Sequence, residues 1–87
     1  MRPNHPDPEV ESYFKNAERD LATASRMSEL GPDYADIICF HAEQCAEKAL
    51  KGLILAMGEA PSRTHNLVLL QKHLYEIDKT IKSLESD

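Results

Sequence analysis

The stretch DYADIICFHAEQCAEKALKGLILAM, residues 33–57, decides the fold. At 100° per residue, Ala35, Ile38, Cys39, Ala42, Cys45, Ala46, Ala49, Leu50, Leu53, Ala56 and Met57 fall in one sector roughly 140° wide, which makes this a helix with a broad apolar face expected to be core. Five of these eleven are alanine, so a neighbouring helix can approach the backbone closely while the Ile, Leu and Met side chains fill the gaps between. Asp33 is the expected N-cap, Asp36 adds negative charge to the first turn, and Gly58 stands where a left-handed C-cap is wanted. The other side carries Glu43, Gln44, Glu47, Lys48 and Lys51, with Glu47 and Lys51 in the favourable i,i+4 order. Ile37, Phe40, Ile54 and Leu55 also project there, so part of this second face is expected to be covered, by another helix or by a second copy of the chain.

Upstream, Asp7, Pro8 and Glu9 form a helix start and Leu30-Gly31-Pro32 a stop. Between them Val10, Tyr13, Phe14, Ala17, Leu21 and Ala24 keep helical spacing, which predicts a helix over 8–29. The short link to the next helix makes the two antiparallel. Residues 1–7, with two of the five prolines, read as a disordered arm whose His5 has no metal role.

Downstream, Gly58 and Pro61 mark a loop that closes on Thr64 as the expected N-cap. Leu67, Leu70, Leu74, Ile77, Ile81 and Leu84 then alternate spacings of three and four, predicting a helix over 65–86, with a break at 76–78 as the alternative. No strand signal appears. The class is all-α, an antiparallel up-and-down bundle of three to four helices, with residues 8–87 as one domain. The ending SLESD has no C-cap glycine and places Glu85 and Asp87 at the negative end of a helix dipole, which reads as a domain incomplete at its C-terminus.

A chain of 87 residues is close to the size at which one core is only marginally self-sufficient. Three such helices leave Ile37, Phe40, Leu55 and part of the 67–84 seam without enough cover, so self-association is expected, a C2 homodimer by default. With 10 Lys+Arg against 15 Asp+Glu the net charge is -5, which argues against general coating of nucleic acid and leaves room for a local basic strip. No apolar run approaches a membrane span and the first residues lack a signal-peptide core, so the expected location is the cytoplasm, away from membranes. Cys39 and Cys45, about 9 Å apart on one helix, are expected to be reduced core residues.

Chemistry concentrates on one strip. His41, Gln44, Lys48 and Lys51 lie within about three turns of the second helix, two cations and two hydrogen-bonding side chains that can receive a phosphate and a base. The start of the third helix at Thr64 and His65 adds free N–H groups and a positive dipole end. Against this stands a plainer and weightier reading: Lys48 and Lys51 as a solvated face paired with nearby glutamates, and His65 as local structure. Glu43 and Glu47 find no His or Asp partners at metal-binding spacing, and no nucleophile constellation is recognisable. No metal, cofactor or catalytic residue is therefore assigned.

Residues 40–71, FHAEQCAEKALKGLILAMGEAPSRTHNLVLLQ, resemble the HEPN family, the helical nucleotide-binding domain of higher eukaryotes and prokaryotes. That family's pattern resembles a helix reading Q-A-A-E-K-A-L-K-A-L-L, a loop, and T-H-D-L opening the next helix. Here these stand as Gln44 to Ile54 and Thr64-His65-Asn66-Leu67, with departures at Cys45, Gly52 and Asn66; Ala17, Asp20-Leu21 and Ala24 fit the first helix loosely. The resemblance implies a module that binds a nucleotide or a nucleic-acid end, acting with a nucleotidyltransferase partner in a toxin–antitoxin-type pair. It also implies a final helix that nothing after Asp87 supplies. The family's ribonuclease branch carries Arg and His four to six residues apart; Arg63 is too close to His65 and too far from His73, so nuclease activity is not carried over. The competing expectation is a purely structural helical oligomerisation module without ligand.

Overall fold

The computed structural model describes residues 7–85; the arm expected over 1–7 lies outside them except for Asp7, as do the last two residues of the SLESD ending. Three helices are formed, α1 (Pro8–Ser28), α2 (Ala35–Ala56) and α3 (Leu67–Glu85), with a 3-10 turn at Pro32–Tyr34 and no strand among the described residues.

The start of α1 is as expected, with Asp7 Oδ1 accepting the Glu9 N–H at 2.8 Å and Pro8 as first residue. The start of α2 is not. Asp33 lies inside the 3-10 turn and caps nothing; Tyr34 holds the cap position without a side-chain bond. Pro32 sets the φ of that turn, and its carbonyl takes the Ala35 N–H, so the work of a cap is done by backbone. The far end of α2 is closed as expected: Gly58 adopts φ 89°, its N–H reaches Leu55 O at 2.9 Å and the Glu59 N–H reaches Ile54 O at 3.2 Å, a Schellman closure.

The third helix begins two residues later than its expected bound, because Asn66 and not Thr64 is the cap. Asn66 Oδ1 accepts from the Val68 and Leu69 N–H groups at 2.9 and 3.2 Å, while Thr64 Oγ1 accepts the Asn66 N–H at 3.0 Å. Asparagine is the better cap of the two, and Thr64 is spent on shaping the loop. From there α3 runs unbroken through 76–78.

α1 and α2 are antiparallel: Asp20 meets His41 and Lys48, whereas Tyr13 and Phe14, earlier in α1, meet Gly52, later in α2. The loop then carries the chain back along α2, so that His65 bonds Glu47 and Leu67 shares a groove with Phe40 and Gln44. Further on, His73 reaches Glu59 and Ile77 lies by Met57. The up-and-down alternation thus belongs to the first pair, while α3 advances in the same sense as the second half of α2. Among the described residues α1 and α3 do not pack on each other.

The core lies where the sequence puts the polar side of α2. Ile54 and Leu70 are fully buried, Ala17 and Ala24 nearly so, and Glu47 and Lys51 are enclosed with them at 7% and 9% exposure. The sector expected to be core is the one left open. Ala35, Cys39, Ala42, Leu53, Ala56 and Met57 are exposed, and Ile38, Cys45, Ala46, Ala49 and Leu50 only half-buried. Periodicity identifies an apolar face but not which neighbour arrives, and here α1 docks at His41, Lys48 and Gly52 while His65, at the entry to α3, closes over Glu47. On the second face Ile54 is buried and Leu55 half-buried, whereas Ile37 and Phe40 stay exposed.

Candidate functional site

Two carboxylates organise the polar residues of α2. Asp20 stands on the inner stripe of α1, one turn from Ala17 and Ala24, and faces His41 and Lys48, which are two turns apart on the same side of α2. His41 Nδ1 lies 3.0 Å from Asp20 Oδ1, and Lys48 Nζ donates to Oδ2 at 2.5 Å. The Lys48 bond first, then the His41 bond, hold the Asp20 carboxyl below the usual carboxylate range against the opposing effect of burial.

The second cluster is more enclosed. Glu47 Oε2 accepts from Lys51 Nζ at 3.2 Å and lies 2.9 Å from His65 Nδ1. Burial pushes this carboxyl up, and the bonds from His65 and Lys51 outweigh it, so that Glu47 also ends below its ordinary value. Lys51 and Glu47 are shielded from water while the His65 ring is 81% exposed, a lid of imidazole over a buried ion pair. A third contact, His73 Nε2 to Glu59 Oε1 at 3.5 Å, ties α3 to the loop.

The six candidate residues are divided among these contacts. His41 and Lys48 belong with Asp20, Lys51 and His65 belong with Glu47, Gln44 lies on the groove beside His65, and Thr64 is used within the loop. Each candidate cation already has a carboxylate, so a phosphate arriving at the strip meets neutralised charge. The helix start expected to receive an anion has two of its N–H groups taken by Asn66. Sequence reasoning missed the roles of Asp20 and Asn66. The signal for Asp20 was a carboxylate on the apolar Ala17–Ala24 stripe, a position that needs a cation opposite it. Among the described residues no cluster of three His, Cys, Asp or Glu side chains could hold a metal ion.

What stays chemically available is the groove lined by Phe40, Glu43, Gln44, Glu47, His65, Asn66 and Leu67. With Nδ1 engaged by Glu47, the His65 Nε2 edge is free to meet a ligand there.

These features define a small helical module whose charged residues join its helices. Compared with known families, the chain matches the HEPN domain model over residues 10–87. It belongs to the HEPN family. Neither the curated proteins nor the solved structures yield a match. The motif residues Glu47, Lys48, Lys51 and His65 are all members of the two clusters, so in this chain the motif joins three elements: Lys48 to α1, and His65, at the entry to α3, to Glu47. No helix among the described residues is long and apolar enough to cross a membrane.

Proposed function

We propose that this HEPN domain is an association module that pairs with a second copy of itself over the surface its own helices leave uncovered. The observation that carries this is the orientation of α2, charged side inward and alanine-rich side outward. Side chains the size of Leu53 and Met57 contribute about 1.5–3 kcal/mol each on full burial, and burial against a second copy would supply it. Two free thiols fit the reducing cytoplasm. Sedimentation at micromolar concentration is expected to return twice the chain mass; a monomer throughout that range overturns the reading.

The groove beside α3 favours a second reading, binding of a nucleotide or nucleic-acid end in partnership with a nucleotidyltransferase, in a toxin–antitoxin-type pair. Phe40, 55% exposed, offers a stacking face, and Gln44 and His65 offer hydrogen bonds beside it. Lys48 and Lys51 contribute little net charge on this reading, since Asp20 and Glu47 hold them. Calorimetric titration with ATP, GTP and a 5′-phosphorylated RNA oligonucleotide tests it. Heat that is lost in Gln44→Ala and His65→Ala supports the groove, and no heat with any of the three leaves association alone.

A further inference from the structure

Three histidines lie among the described residues and each bonds a carboxylate, but they leave different ring nitrogens open. His73 commits Nε2 to Glu59, so its open nitrogen is Nδ1, the one crowded by its own backbone. His41 keeps Nε2 open, yet its side chain is only 27% exposed and the Phe40 ring stands edge-on to it at 5.3 Å. His65 alone of the three joins both features a nucleophile needs. Glu47 Oε2 holds Nδ1 at 2.9 Å, and the ring is 81% exposed on the rim of the groove lined by Glu43, Gln44 and Asn66.

We propose that His65 Nε2 is a nucleophile that accepts a phosphoryl group from a small acyl phosphate. The proposal is independent of both readings above.

Glu47, whose carboxyl titrates below its ordinary value, is ionised at neutral pH and can only accept a hydrogen bond. In the neutral imidazole beside it the proton therefore sits on Nδ1 and the lone pair on Nε2. Lys51, 11% exposed, grips the same carboxylate, so the group that orients the ring is itself fixed, as an activated nucleophile requires.

In the transfer, a bond forms from Nε2 to phosphorus as the bond from phosphorus to the acyl oxygen breaks, and the acyl group leaves as a carboxylate with the electron pair. The Nδ1 proton stays where it is. The ring gains a positive charge, which faces the Glu47 carboxylate. A departing carboxylate needs no proton and no metal. That suits a groove of about 320 Å³ whose lining, among the described residues, holds two carboxylates and neither Lys nor Arg. A nucleoside triphosphate, whose transfer calls for cations on its phosphates, fits this lining poorly as a donor. Glu43 opposes the charge of the product, and the positive dipole end of α3, which opens just after His65, favours it.

Acetyl phosphate radiolabelled in phosphorus tests this on the full chain. The chain should take up acid-labile, alkali-stable label at His65, faster than N-acetylhistidine does. His65→Gln should abolish uptake, whereas His41→Gln and His73→Gln should retain it. Glu47→Leu with Lys51→Met, the pair expected to keep stability, should slow labelling roughly tenfold with helical circular dichroism unchanged. Glu47→Gln, which still accepts the Nδ1 proton but carries no charge, should lie between. Absence of label, label on His41 or His73 instead, a rate at His65 no faster than on N-acetylhistidine, or an unchanged rate in the double variant each overturns the proposal.

Discussion

At the scale of single residues, the enclosed Glu47–Lys51 pair makes opposite predictions for one change and for two. Glu47→Gln leaves the Lys51 ammonium, 11% exposed, without its counter-charge and is expected to cost about 3 kcal/mol. Glu47→Leu together with Lys51→Met removes both charges at similar volume and is expected to be close to neutral, as urea denaturation of the three proteins would show. The acid limb of stability follows from the same groups. Asp20 and Glu47 both titrate below their ordinary values in the fold. Their contribution is therefore complete above the unfolded carboxylate range, about pH 4, and is lost as pH falls through the depressed folded values. In thermal melts below about pH 4, Asp20→Asn with Glu47→Gln should lose stability less steeply than the parent. Asn66→Ala should cost about 1 kcal/mol and Thr64→Ala clearly less, reversing the ranking that the sequence suggests.

At the scale of elements, Gly52 sets how closely α1 and α2 approach. A Cβ built there lies 3.1 Å from both Phe14 Cζ and Tyr13 Cβ. The second of these atoms is fixed to the α1 backbone and can yield only if the helix moves. Gly52→Ala gains roughly 1 kcal/mol of helix propensity against that crowding and should come out near zero. Gly52→Val adds two methyl groups and should destabilise by about 2 kcal/mol, measured by chemical denaturation. α3 depends on fewer contacts. Among its described residues Leu70 is the one fully buried, and His65 at its entry and His73 tie it to Glu47 and Glu59. The apolar seam from Leu67 to Leu84 was legible as a helix face, but its cover fades along its length, from none of Leu70 exposed to 39% at Ile81 and 81% at Leu84.

At the scale of the whole molecule, few large apolar side chains are fully enclosed while one full helix side lies open. A chain stabilised by pairing with a second copy gains stability by mass action, so its melting temperature should rise with protein concentration. Calorimetric scans over a hundredfold range check this, and a midpoint that stays fixed would count against association. The same balance accounts for the electrostatics: the net charge of -5 is spread over a surface whose internal cations are consumed in holding helices together.

By itself the sequence determined that this chain is all helical, where the helices begin and end to within about two residues, the Asp7 start and the Gly58 close. These are local matters, decided by side-chain period, proline geometry and capping within a few residues. Only the tertiary structure decided which side of α2 turns inward and which carboxylate each cation meets. Lys48 finds Asp20 28 positions away and His65 finds Glu47 18 away. A helical period names a face but carries no information about the helix that will arrive against it.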